Sequence, residues 1–251
     1  MSATTTRNKY RPTSALPCLA LFAISLAPPG AEAEITASVA LTSDYVWRGF
    51  SRSGGDIALQ GQVDWQHAGG LYLGAFASTL DLAAAYGSGY RPYGDSGTAD
   101  LEFVPYVGYS WGIDTNWRVE AQLSHYLFDD ELLGGSAGYQ ELYLVVHFRD
   151  LLSAEFAVAP DAYDQNAATL NLQLNARYPV SDAWTVSGGG GWFAASDALG
   201  ADYLHWHAGL SWRHRYGGVD LRYFGAALRD ATLRRPPPAN GEFVLTLTVG
   251  F

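Results

Sequence analysis

Few residue groupings in this chain are of a type and spacing that does chemistry, and each meets a geometric obstacle. Ser124 and His125 suggest a hydrolase, in which a His activates a Ser hydroxyl and a third polar residue orients the His. On a strand, adjacent side chains point to opposite faces, so these two cannot meet. His205 and His207 share a face if the segment is a strand, and make a usable pair of metal ligands. A zinc site needs three or four ligands, and nothing nearby clearly supplies the rest. No Ser lies two residues from either His, although a Ser from a neighbouring strand is left open. Asp129, Asp130 and Glu131 make an acidic loop tip of the kind that water normally solvates. Gly188–Gly191 has neither the Lys-Ser/Thr nor the helix of a phosphate loop, so it is expected to give room for a contact or a strand kink. No catalytic residue, metal site or cofactor is therefore expected, and the chain reads as a non-enzyme.

Stepping outward from these residues, the elements that position them are short amphipathic strands. Alternation of period two runs through most of the chain. In 168–178, Leu170, Leu172 and Leu174 oppose Asn171, Gln173 and Asn175. In 117–128, Trp117, Val119, Ala121 and Leu123 oppose Arg118, Glu120, Gln122 and Ser124. Twelve strands are predicted, at 35–46, 57–66, 71–81, 99–110, 117–128, 139–149, 152–160, 168–178, 184–195, 203–214, 219–228 and 242–251, with a bulge at Pro105. Connections after even strands are short, as at 67–70 and 179–183, and those after odd strands are generally longer, as at 82–98 and 229–241. That asymmetry is the pattern of transmembrane barrels, with periplasmic turns and extracellular loops. The fold class predicted is all-β, a transmembrane antiparallel up-and-down β-barrel.

The N-terminus has a different character. Arg7, Lys9 and Arg11 precede the apolar run Cys18–Ala27, and Ala31-Glu32-Ala33 is a small-x-small cleavage site. Ten apolar residues are too few for a membrane-spanning helix, which needs roughly 20. Residues 1–33 are thus expected to be a signal peptide and 34–251 the barrel. Cleavage removes the only Cys and the only Lys, leaving 12 Arg against 24 acids. So acidic a chain is not a nucleic-acid binder, whose phosphates demand basic patches. Export without a later apolar helix leaves periplasm, outer membrane or exterior.

Alternation alone does not say which face looks outward, because a soluble lipocalin-like barrel inverts the arrangement. Three features favour the membrane. Twelve strands would leave a soluble barrel a wide interior to fill. Aromatic residues cluster near strand ends (Trp47, Tyr45, Trp65, Tyr72, Tyr109, Trp111, Trp117, Tyr126, Tyr178, Trp184, Tyr203 and Trp212), where interfacial girdles sit. The chain also closes on an alternating strand ending in Phe251, which resembles the assembly signal of outer-membrane proteins.

With the leucine faces toward lipid, the lumen receives Asp64, Glu102, Arg118, Glu120, Glu141, Arg149, Glu155, Arg177, Arg213, Asp220, Arg222 and Glu242 as pore-lining residues. Charges of both signs either line a water-filled pore or cross-link to plug it. Eight strands are filled by side chains and sixteen leave an aqueous channel, so twelve point to a narrow or partly blocked passage. The lumen is nearly balanced in charge. The outer loops are acidic, with Arg48 and Arg52 near Asp56 in the first of them, so weak cation preference is expected.

Residues 39–61, VALTSDYVWRGFSRSGGDIALQG, resemble the opening of the TorF-type porin family of proteobacteria. The likeness rests on Leu41-Thr42-Ser43-Asp44-Tyr45, Arg48-Gly49, Ser51 and Ala58-Leu59-Gln60-Gly61. It continues in Gly70–Gly74, Pro105–Tyr109, Glu141–Tyr143 and the closing strand. The resemblance implies an outer-membrane barrel and a pore, and supplies no catalytic residues. The expected function is then a narrow porin-like channel for small solutes or ions in the bacterial outer membrane. Its partners would be outer-membrane lipid and the barrel-assembly machinery. The alternatives are a sealed structural or ligand-binding barrel, with Tyr86, Tyr90, Arg91 and Tyr93 as loop contacts, or an outer-membrane lipid-modifying hydrolase.

Overall fold

The computed structural model describes residues 24–25, 33–81, 100–129, 138–228 and 241–251. Among them, twelve antiparallel strands close into a barrel. They are β1 Ala33–Thr42, β2 Ala58–His67, β3 Leu71–Thr79, β4 Leu101–Gly112, β5 Trp117–Phe128 and β6 Tyr139–Phe148. The second half comprises β7 Leu152–Ala159, β8 Thr169–Pro179, β9 Trp184–Ala194, β10 Tyr203–His214, β11 Gly217–Leu228 and β12 Glu242–Gly250. Each strand pairs with its neighbour in sequence, and β12 pairs with β1 through Thr246↔Thr42 to Gly250↔Ser38. Closure leaves no free edge among the described strands, so the ladder groups find their partners within the sheet except where Pro105 interrupts it.

The exterior is apolar. Val39, Leu41, Leu73, Leu123, Leu142, Leu144, Leu172, Leu210, Leu245 and Leu247 are all exposed. The alternate residues on the same strands, such as Gln60, Gln122, Glu141, Asn171 and Gln173, are buried in the lumen. In water this arrangement would expose a continuous apolar belt. In a bilayer it is the favourable one, and it excludes the soluble inverse.

The start of β1 and the end of β12 lie at the short-turn end. There, Arg149 and Asp150 both take positive φ (54° and 56°) in the two-residue turn between β6 and β7, the primed geometry that matches strand twist. Gly70 (φ 101°) closes the turn between β2 and β3, its N–H donating to the His67 carbonyl at 3.0 Å. The closing strand continues to the last residue. Phe251 and Ala37 exchange backbone hydrogen bonds of 2.8 and 3.1 Å, while the Phe251 ring is exposed.

Two expectations are corrected. Pro105 makes no bulge. The register with β5 is the same on either side of it, Phe103↔Leu127 and Tyr106↔Ser124, and only the bridges opposite Val104 and Pro105 are missing. A missing N–H interrupts the ladder without inserting a residue. The aromatic girdle is also smaller than expected. Tyr109, Trp111, Trp117, Tyr178, Trp184 and Trp212 face outward and ring the short-turn end. Tyr45, Trp47, Tyr72, Tyr126 and Tyr203 are instead buried, because they occupy lumen-facing positions or the first loop.

The expected signal peptide lies mostly outside the described residues, as do the loops 82–98 and 229–240 and most of Asp129-Asp130-Glu131. Ile24–Ser25 is a two-residue strand paired with Thr36–Ala37.

Candidate functional site

The lumen is built by the polar face of every strand. Of the residues expected to line it, Glu102, Arg118, Glu120, Glu141, Glu155, Asp220 and Arg222 are buried inside the barrel. Asp64 and Glu242 are half-buried near its two ends. Arg149 sits in a turn, and Arg177 and Arg213 are exposed within the last three residues of their strands, so these three belong to the short-turn rim. Losing three cations to the rim changes the electrostatics, because the interior becomes more acidic than alternation alone suggests.

The largest departure from the sequence reading is the first loop. Residues 44–53 do not form an outer mouth; they fold into the barrel, and only 54–57 return to the surface before β2. Val46–Trp47 and Phe50–Ser51 pair as a miniature hairpin, with Arg48 (φ 46°) and Gly49 (φ 80°) at its tip. Two positive φ values fit a type I′ turn, which favours glycine at the second position. The tip rests against the wall two and three strands round from β1. A Cβ on Gly49 would stand 2.8 Å from the Ala226 Cβ on β11 and 3.0 Å from the His205 Cβ on β10.

Two arginines anchor this plug. Arg48 donates to Glu141 on β6 at 2.9 Å, and Arg52 donates to Glu102 on β4. The Tyr45 hydroxyl also donates to Glu102, at 2.7 Å. Burial disfavours the Arg52 cation, but the Glu102 carboxylate with Tyr45 beside it outweighs that and holds the guanidinium's pKa well above its ordinary value. Aromatic faces complete each socket. The Arg48 guanidinium lies 4.9 Å from both the Trp47 and Phe193 ring centres, and that of Arg52 lies 4.6 Å from Trp47. Around them Trp47 meets Tyr126 edge-on, Tyr126 stacks on Tyr139 at 4.5 Å, and Tyr163 from the loop after β7 packs on Tyr139. Tyr126 in turn shares a 2.6 Å hydrogen bond with Tyr143, whose hydroxyl donates to Glu141.

A different network lines β8 to β11. The His205 Nε2 lies 2.9 Å from Asn171 Oδ1, and that of His207 lies 3.1 Å from Asn175 Oδ1. Each contact crosses the whole width of β9. It is allowed because the lumen-facing residues there are Gly189 and Gly191. A Cβ on Gly191 would fall 2.5 Å from His205 Nε2, and one on Gly189 would fall 2.7 Å from His207 Nε2. The glycine run therefore makes room for a contact, one of its two expected uses. Arg222 NH1 donates to His207 Nδ1 at 2.8 Å, which fixes His207 as the neutral tautomer protonated on Nε2. Arg222 also holds Asp220 through 3.1 and 3.0 Å hydrogen bonds, and Ser211 donates to Asp220 at 2.6 Å.

These contacts do not bring Ser124 and His125 together. Ser124 faces the lumen, accepting from Gln122 at 2.9 Å, while His125 lies on the opposite face across from Pro105. Of the three lumen histidines, His205 and His207 are committed to asparagines and His147 lies 3.3 Å from Glu120. Among the described residues no three His, Cys, Asp or Glu gather as a metal cluster. What the arrangement does provide is a polar tube, packed by a loop at one end.

The family model described as "Bacterial protein of unknown function (Gcw_chp)" matches residues 27–232. The chain belongs to this family. No curated protein matches it. Among solved structures, this Gcw_chp chain is similar to the KdgM porin, with a TM-score of 0.51 and 10% identity over 86% of this chain and 97% of that one. The same figures hold for the KdgM porin in complex with disordered oligogalacturonate. The likeness is one of fold, and that fold is a porin barrel.

Proposed function

We propose that this protein is a narrow channel of the bacterial outer membrane, of the TorF-type porin kind, passing small solutes or ions. The observation that carries the reading is a closed twelve-strand barrel with an apolar exterior and a charged, hydrogen-bonded interior. The first loop narrows the passage and is its constriction. The short-turn end faces the periplasm and the long-loop end the exterior. Export uses residues 1–33 as a signal peptide, and Phe251 at the closing seam is the signal read by the assembly machinery. Phe251→Asp is expected to lower the amount inserted without affecting export; equal insertion would refute that role.

The charge of the interior bears on the solute. Inside the barrel Asp44, Asp64, Glu102, Glu120, Glu141, Glu155, Asp220 and Glu242 outnumber Arg48, Arg52, Arg118 and Arg222. KdgM has been solved with an oligogalacturonate, a polyanion. The acid excess here favours neutral or cationic solutes instead.

The burial of the plug supports a second reading, a sealed barrel. Liposome swelling separates the two. Vesicles carrying the refolded protein should swell in small neutral sugars and amino acids faster than empty ones. Equal rates for every solute would leave the sealed barrel standing and remove the channel.

A further inference from the structure

The seam where the first and last strands meet carries two acidic side chains that the plug anchors do not use. β1 ends at Thr42, whose hydroxyl accepts from that of Thr246 at 2.9 Å. The Ser43 N–H donates to the Leu245 carbonyl at 2.9 Å, and the Leu245 N–H donates to Ser43 Oγ at 3.0 Å. The chain then turns inward at Asp44, and continuing the β1–β12 register sets it opposite Val244, two residues from Glu242 on the same lumen-facing side at the long-loop end of β12.

Asp44 is 2% exposed. Its Oδ1 accepts from Ser51 Oγ and Ser53 Oγ, both at 2.7 Å, and from the Gly55 N–H at 3.3 Å, which ties the two legs of the plug together. Its Oδ2 has no donor. A buried carboxylate oxygen without a donor is costly, and a second carboxylate beside it makes the position worse. Two ionised carboxylates only accept, so neither satisfies the other. The plug arginines are turned away, Arg48 to Glu141 and Arg52 to Glu102. Among the described residues no Arg or His forms an ion pair with Asp44 or Glu242.

A hard divalent cation supplies what this pair lacks. We propose that Asp44 Oδ2 and the Glu242 carboxylate bind Ca²⁺ at the outer mouth, clamping the base of the plug to the closing seam. Ca²⁺ accepts irregular sets of oxygen ligands completed by water, and the half-buried Glu242 leaves water access. With two protein carboxylates the affinity belongs to the weak extracellular range, Kd on the order of 10⁻⁴ to 10⁻³ M. The site is independent of whether the barrel conducts.

Isothermal titration of the refolded full-length barrel in detergent with CaCl₂ tests this. Tb³⁺ luminescence excited through Tyr45 and Trp47 provides a second readout. Wild type and Asp197→Asn, which removes an exposed acid from another loop at the same end, should each show one saturable Ca²⁺ site. Glu242→Gln should bind at least about tenfold more weakly, since it loses one of two charged ligands. Glu242→Asp should bind with intermediate affinity. Ca²⁺ should also raise the temperature at which the wild type loses its compact gel mobility, and should do so less for Glu242→Gln. A wild type that fails to bind Ca²⁺ at about 10 mM, ten times the weakest affinity expected, overturns the proposal. So does Glu242→Gln binding as well as wild type, the outcome expected if the two carboxyls share a proton instead.

Discussion

The outer and inner halves of the lumen solve the problem of a polar interior in different ways. In the outer half the two arginines of the inserted loop are each matched by a carboxylate of the wall. Arg52 and Glu102, and Arg48 and Glu141, are almost wholly buried and boxed by Trp47, Tyr126, Tyr139 and Phe193. In the inner half, along β8 to β11, the lining is small and polar. Asn175, Thr185, Ser187 and Gly189 remain half-buried, and Arg177 and Arg213 at the rim are open to solvent. The outer half is thus packed like a protein core with ion pairs set in it, whereas the inner half is open along β8 and β9, although Arg118 and Glu120 on β5 keep a buried ion pair at that end too. Permeation would be decided where the loop sits, not by the barrel's diameter.

The comparison breaks most easily at the buried pairs. Arg52→Ala leaves Glu102 uncompensated in a buried site, which is expected to cost about 3–5 kcal/mol. Arg177→Ala, at the exposed rim, should leave stability unchanged. Urea unfolding of both variants in lipid vesicles checks the contrast, and equal losses would mean that the outer half is as open as the inner.

A second test uses the two faces of β9. Gly191→Val places methyl groups against the His205 ring, and overpacking of that kind costs about 1–3 kcal/mol. Gly190→Val points toward lipid, where a Cβ meets nothing closer than the His205 carbonyl oxygen at 3.5 Å, and should be nearly neutral. The same unfolding assay reads both. If the lipid-facing substitution proves the worse one, the assignment of faces in β9 is wrong.

The smallest effect belongs to the network of the inner half. Ser211→Ala removes one donor from Asp220, which keeps both contacts with Arg222. The expected loss is about 0.5–1.5 kcal/mol, that of an ordinary hydrogen bond. A larger loss would show that the inner half is as tightly coupled as the outer.

The sequence reveals face far better than depth. Period-two alternation separates Leu172 and Leu174 from Asn171 and Gln173, and all four stand on the faces that pattern predicts. Strand ends and short turns follow from the same alternation. It does not reveal what fills a lumen, because filling depends on loops whose direction is not periodic. Arg48 and Arg52 read as mouth residues since they lie between strands, yet the hairpin carrying them turns inward. The local signal for that was present in Val46-Trp47-Arg48-Gly49-Phe50, an apolar stretch with a glycine at the turn, unsuited to a solvated loop. Arg177 and Arg213 mislead the other way. Their parity is that of the lumen, but their position at strand ends places them at the rim.

Single-channel recording in planar bilayers tests the central claim most directly, comparing wild type with a variant whose Val46–Ser51 segment is replaced by a short Gly-Ser linker. The account predicts small conductance steps in the wild type and clearly larger ones in the variant. Both should prefer cations in a salt gradient, more strongly at low ionic strength, where the Debye length exceeds about 10 Å. Silence from both proteins, or steps of the same size in both, would contradict a channel whose constriction is its own first loop.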